Sequence, residues 1–336
     1  MKRRTLLAGA AFAALAGCGG RKADGGEVVV YTSVDPPYAQ PIVAAFEQQT
    51  GIRVVLLTDT EADKSLGLAN RLRAERTRPR ADVFWSSEVV RMAQLAREGV
   101  LAPYESPDRR AYPAYARDPH GLWTGFAARA RVIAFRAGEA PPPRDFLDLA
   151  QPALRGRVAM ANPRFGTTAT EAAALFQVWG EARAGAFYRA LRDYGVQVVD
   201  GNSAAAEAVA RGRARFGLTD TDDVYSRIDR GIALDLAFPR HGPEGTLLIP
   251  NTVGLVAGAP HADAGRRFID FLLAPETELR LAALPSRQLP LHPEARRQAP
   301  ERVRPLLAVT PLPVDYQRLA EGMEAVDRFL REVFER

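Results

Sequence analysis

The chain has 336 residues, 47% of them apolar, one cysteine and a formal net charge of +5. That length and apolar content allow two packed domains, and a lone cysteine rules out an internal disulfide, so stability must come from burial. Lys2, Arg3 and Arg4 carry three of the positive charges; without them the balance falls to +2 and the other arginines are scattered, which speaks against a nucleic-acid partner.

Those three residues open the chain as a positive n-region, and Leu6 to Leu15 follows as an apolar h-region. It is too short to span a bilayer, for which ~20 residues are needed. It runs into Leu15-Ala16-Gly17-Cys18, the pattern of a bacterial lipobox, which makes residues 1–18 a lipoprotein signal peptide and Cys18 the lipidation site. An ordinary signal peptide ending near a cysteine is the alternative. Arg3-Arg4-Thr5-Leu6-Leu7 fits either a loose twin-arginine signal or a general secretory one. Residues 19–26 (GGRKADGG) read as a flexible polar tether to the membrane.

From residue 27 the pattern turns to strands alternating with helices. Glu27 to Tyr31 is a β-branched run that predicts a buried parallel strand. Asp35-Pro36-Pro37 opens a helix with Ile42, Val43 and Phe46 on its apolar face and Gly51 as its stop. A strand over 52–57, a helix over 63–76, a strand over 81–85 and a helix opened by Ser86-Ser87-Glu88 follow. Trp123 to Phe135 predicts one long strand with unusual polar insertions. A second series has strands at 158–161, 196–199 and 215–218, with helices ending near Trp179, over 185–194 and over 203–211. Residues 252–257 predict a strand and 262–273 an amphipathic helix. This alternation implies α/β domains with doubly wound sheets.

Polar clusters recur at the carboxyl ends of the predicted strands: Thr32-Ser33 with Asp35, Ser86-Ser87-Glu88, Gly166-Thr167-Thr168, Asn202-Ser203, and Thr219 through Asp223. In open α/β sheets that edge binds ligands, and a helix N-terminus there favours anions. Each cluster taken alone is also an ordinary helix cap. Their recurrence at one edge of two domains makes Thr32, Ser33, Asp35, Ser86, Ser87, Glu88, Thr167, Thr168, Asn202, Asp220, Asp222 and Asp223 candidate ligand-binding residues.

The stretches VVVYTSVDPPYAQPIVAAFEQQTGIRV, ADVFWSSE, GFAARARVIAF, NTVGLVAGAPHADAGRRFIDFLLAPETE and SRQLPL resemble, in order, segments of extracellular solute-binding proteins related to the bacterial ferric-ion binders. The resemblance runs from about residue 27 to 300. It implies a two-lobed periplasmic binding protein of type II with mixed sheets and a hinge. Lobe one would comprise 27–125 plus 240–336, and lobe two 126–239. It also implies a receptor that closes on its ligand and docks on the permease of an ABC importer, and a monomer is the default for a cleft that must open and close.

The resemblance also implies a site. Ferric binders carry adjacent tyrosines after the strand at 215–218, and those positions hold Asp222 and Asp223 here. Tyr31 and Tyr225 are the nearby phenols. Thr167, Thr168, Asn202 and Arg129 fall where such proteins hold a synergistic phosphate or carbonate. Two ligand readings stand: ferric ion held by Asp222, Asp223 and Glu88 with an anion, or an organic phosphate or aminophosphonate with its cationic part on Asp222 and Asp223. Apart from such a ligand no cofactor is expected. A carboxylate-based enzyme is the rival from another class. No Gly-x-Ser-x-Gly, His-Glu-x-x-His or phosphate loop occurs, and His120, His241, His261 and His292 lie far apart.

Overall fold

The computed structural model describes residues 26–59, 66–142, 145–241 and 245–335. Cys18, the signal peptide and the tether up to Gly25 therefore lie outside the described residues.

The opening β-branched run forms strand β1 (Glu27–Thr32), with β2 (Arg53–Thr58) and β3 (Val83–Ser86) parallel on its two sides. Parallel neighbours require crossovers, and α1 (Pro36–Thr50) and α2 (Leu66–Ala74) lie in them. Pro36 and Pro37 sit in the first turn of α1, where a missing N–H costs nothing, and Gly51 ends it at φ 71°. Helix α3 (Val90–Arg97) and the short β4 (Leu101–Ala102) follow.

Strand β5 (Thr124–Arg136) then runs from one lobe into the other. Twelve of its thirteen residues are buried. Beyond it come β6 (Val158–Ala161), α4 (Gly166–Trp179), α5 (Glu181–Asp193), β7 (Gln197–Val199), α6 (Asn202–Ala210), β8 (Phe216–Asp220), α7 (Thr221–Ile228) and β9 (Leu234–Ala237). The return is made by β10 (Leu248–Val256), then α8 (Ala262–Leu273), α9 (Pro275–Ala283), α10 (Pro293–Arg297), α11 (Arg304–Leu307) and α12 (Tyr316–Phe334). Among the described residues no helix is long and apolar enough to cross a membrane.

The strand order is β2-β1-β3-β10-β5-β8-β6-β7, with β4 on β10 and β9 on β5. Two parallel trios, β2-β1-β3 and β8-β6-β7, are thus joined through the antiparallel pair β10 and β5. Strand β5 pairs with β10 along Thr124–Ala130 and with β8 along Arg131–Ala134. The residue at which it changes partner lies between Arg129 and Arg131. The two guanidiniums are two residues apart on one strand and so share a face.

Three boundaries differ from the sequence expectation in ways that matter. Strand β10 begins at Leu248 rather than 252, passing through Pro250. The pairing with β5 slips between Ile249 and Asn251, so the ladder asks for no N–H at Pro250. Strand β8 continues to Asp220, which makes Thr219 and Asp220 strand residues and puts Asp222 and Asp223 in the first turn of α7. Helix α12, placed by the sequence with lobe one, packs against α3 on one side and α4 and α5 on the other.

The slip in the ladder puts one extra residue, Ala127, into β5 at φ 41°, a left-handed conformation that costs an L-residue about 1–2 kcal/mol. Its backbone is held from both ends. Its N–H donates to Glu278 Oε1 at 2.6 Å, and its carbonyl accepts from the Asn251 amide. Glu278 also accepts from the backbone N–H groups of Leu291 and His292. Burial raises its pKa to about 7, with those N–H groups and Arg296 pulling the other way. Glu278→Gln should cost about 1–3 kcal/mol in denaturant unfolding, because an amide NH2 would face backbone donors it cannot accept from. A change below the error of that measurement would make the clamp dispensable.

Candidate functional site

A cavity lies where the carboxyl ends of β1, β3, β6, β7 and β8 converge. Asp35, Tyr38, Ser87, Arg129, Ala161, Asn162, Phe165, Gly166, Thr167, Asp200, Gly201, Asn202, Asp220, Asp222 and Asp223 line it. Its open volume is about 40 Å³. That holds an ion with a water or two, or one small anion, since a water needs ~10–15 Å³ by the same measure.

Of the predicted residues, Asp35, Ser87, Arg129, Thr167, Asn202, Asp220, Asp222 and Asp223 come together at this cavity. Thr32, Ser33, Ser86, Glu88 and Thr168 do not line it. Ser33 Oγ accepts from the Ser87 N–H at 2.8 Å and lies 3.1 Å from Ser87 Oγ, while Thr32 and Ser86 accept from the N–H groups of Val34 and Glu88. These side chains hold the cavity floor in shape. Thr168 reaches Asn202 Oδ1 at 3.1 Å.

Glu88 corrects the expectation of a metal ligand. Its carboxylate accepts from the N–H groups of Val90 and Arg91 and from the Thr170 hydroxyl at 2.6, 3.0 and 3.0 Å. It is spent on capping α3, and burial raises its pKa.

Arg129 is also placed differently from expectation. It donates to Asp222 Oδ2 at 3.1 Å, to Asn251 Oδ1 at 3.0 Å and to the Ser87 carbonyl. Burial opposes its charge, but Asp222, Asp220, Asp35 and Asp223 together raise its pKa. The guanidinium that reaches Thr167 and Asn202 belongs to Arg131, which the sequence reading did not single out. Arg131 Nη1 donates to Asp220 Oδ1 at 2.9 Å, Asn202 Oδ1 at 3.1 Å and Thr167 Oγ1 at 3.2 Å. Its Nη2 donates to Glu171 Oε2 at 3.0 Å. The Leu247 N–H donates to His241 Nδ1, so Nε2 carries the proton and donates to Glu171 Oε1 at 2.8 Å. Burial alone would raise the Glu171 pKa; Arg131 and His241 bring it down to about 2.

The acidic side is denser than the basic one. Asp220, Asp222 and Asp223 each offer an oxygen within 4.8 Å of the others. With Asp35 and Asp200, five aspartates line the cavity against one arginine, Arg129. Carboxylates in this number are hard oxygen donors suited to a hard cation. Neither tyrosine considered from sequence reaches the cavity. Tyr31 donates to Glu75 Oε2 at 2.9 Å, and Tyr225 stacks under Arg287 at 4.5 Å. The phenol that lines it is Tyr38, whose pKa is raised by burial and by the charges of Asp222, Asp223 and Asp35. Two signals could have found the missed residues: Arg131 lies two positions along a strand from Arg129, and Asp200 ends a predicted strand beside Asn202.

Comparison with known proteins bears on the family and the fold. The family model described as bacterial extracellular solute-binding protein matches residues 27–282. Iron uptake protein A1 of Synechocystis is 28% identical over 270 residues, covering 76% of this chain and 73% of that protein. The crystal structure of apo ferric ion-binding protein A of Pasteurella haemolytica superposes with a TM-score of 0.82 at 23% identity, covering 91% of this chain and 97% of that one. A periplasmic binding protein of Actinobacillus pleuropneumoniae with fructose 6-phosphate bound gives a TM-score of 0.80 at 21% identity, covering 92% and 99%. The two structural likenesses establish a shared two-lobed fold.

Proposed function

This chain belongs to the bacterial extracellular solute-binding protein family, and we propose that it is the receptor of an ABC importer, capturing ferric ion in the cleft between its lobes. The observation that carries the ligand is the charge of the cavity: five aspartates against one arginine in a space of about 40 Å³. A trivalent cation offsets that excess and fits that space, with Asp222 and Asp223 as its principal ligands and Asp35 facing them. The name of the Synechocystis relative supports the same occupant. The receptor works as a monomer, without turnover, and delivers its cargo to a membrane permease.

The test is ferric loading from ferric nitrilotriacetate, followed by calorimetry and visible absorption. Saturable binding of one ion is expected, without a phenolate-to-iron charge-transfer band, because the ligands are carboxylates. A band that Tyr38→Phe abolishes would instead put the phenol in the coordination set. Failure to bind iron, with saturable binding of 2-aminoethylphosphonate or fructose 6-phosphate, would transfer the site to an organic phosphate.

The lipobox supports an anchor at Cys18 in the extracytoplasmic compartment, which keeps the receptor near its permease. One acyl chain binds membranes only marginally, so a stable anchor implies more than one. Cys18→Ser is expected to move the protein from the membrane to the soluble fraction. Unchanged partitioning would leave the N-terminal segment as an ordinary signal.

A further inference from the structure

The hydrogen-bond donors around Asp220 are arranged as they would be around a bound oxyanion, and a side chain of the protein fills the place. Arg131 donates to Asp220 Oδ1 at 2.9 Å, and Thr167 and Asn202 donate to Oδ2 at 2.6 and 3.0 Å. The three donors come from three elements, β5, α4 and α6, and converge on one carboxylate. Thr167, Asn202 and Asp220 all border the cavity, with Arg131 fully buried behind them.

Two observations say that Asp220 is not there merely to neutralise Arg131 or to cap a helix. Arg131 already has a counter-ion in Glu171, which is buried and held by His241. Asp220 occupies the N-cap position of α7, yet its side chain makes no capping bond. All the side-chain partners recorded for it are the oxyanion-type donors.

We infer that Asp220 is the specificity-determining residue of the cleft: it is a built-in occupant of an oxyanion site, so the cleft takes its cation without a phosphate or carbonate partner. Removing the carboxylate opens that site to an inorganic oxyanion. Charge-assisted bonds from a guanidinium, a hydroxyl and an amide would then recognise it. The cation half rests on the ferric reading proposed above; the oxyanion half does not.

Inorganic phosphate titrated by calorimetry into the wild-type protein should show no saturable binding. Asp220→Ala should bind phosphate at least about tenfold more tightly than any residue of binding in the wild type. Asp220→Asn, whose amide still fills the space, should resemble the wild type. Should Asp220→Ala be too unstable for calorimetry, a rise in its melting temperature on adding phosphate, absent in the wild type, reads the same effect. For the wild type, ferric loading in bicarbonate-free and bicarbonate-supplied buffer should agree within about twofold. Saturable phosphate binding by the wild type, no gain by Asp220→Ala, or a tenfold rise in iron affinity with bicarbonate (about 1.4 kcal/mol) would overturn the inference. A wild-type protein that loads no iron would sink the ferric reading and leave the phosphate arm to decide this one.

Discussion

Changing Asp222 and Asp223 together to asparagine is expected to lower the affinity for ferric ion by about a thousandfold or more, while the unloaded protein melts within a few degrees of the wild type. Two unit charges ~4 Å apart at an effective dielectric near 20 attract by about 4 kcal/mol, and ~1.4 kcal/mol is a factor of ten. Losing two full charges beside a trivalent ion therefore removes at least three orders of magnitude, even after generous screening. The unloaded fold is affected little because two changes offset. Arg129 loses the charge of Asp222, though an amide oxygen can still accept from its Nε. In return the repulsion among carboxylates whose oxygens lie within 4.8 Å of one another is relieved. Iron binding unchanged within about tenfold would exclude these residues as the principal ligands.

The largest stability effect is expected at Arg131. Arg131→Met leaves Glu171 and Asp220 buried without their cation, and breaking a buried pair from one side costs about 3–5 kcal/mol. In a chain of this size that lowers the melting temperature by roughly 10 °C. The same group predicts an acid limit. The pKa of Glu171 lies at about 2 in the folded protein and near 4.3 when unfolded, so the unfolded chain binds the proton first. Its contribution, roughly 3 kcal/mol, is fully present above pH ~4.3 and is lost as pH falls towards ~2. In Glu171→Gln the melting temperature should fall less steeply over that window than in the wild type. Parallel pH profiles would show that the ion pair is not what acid breaks.

Much of this fold is legible in the sequence because its periodicities are clean. The β-branched run of β1, the thirteen-residue β5 and the amphipathic α8 each follow from a single pattern. What escaped notice is where tertiary pairing overrides a local signal. The predicted strand opens only at 252, past Pro250, yet the proline sits in β10 because the ladder slips at that residue. Thr219 and Asp220 read as loop, yet they end β8, paired with Val132 and Arg131. The site was legible to a similar depth. Clusters at strand ends point to the edge where the candidate cavity lies, and the aspartates at the expected tyrosine positions point to its acidic lining. Which arginine meets which aspartate is not written in spacing. Arg129 and Arg131 are alike in sequence, and only the change of strand partner between them sends one to Asp222 and the other to Asp220.

Helix α12 carries a consequence for how the two lobes open locally. Its first half, through Tyr316, Leu319 and Met323, completes a core with Val90, Ala93 and Ala173, while Val326 and Leu330 close the core around Leu175, Phe187 and Tyr188. Both cores thus share one nineteen-residue helix, while a third apolar cluster, with Val28, Phe46, Trp85 and Phe268 in it, contains none of its residues. Fraying of this helix should therefore open both of those cores together and leave the third packed, which couples the two lobes through one element other than the strands that cross between them.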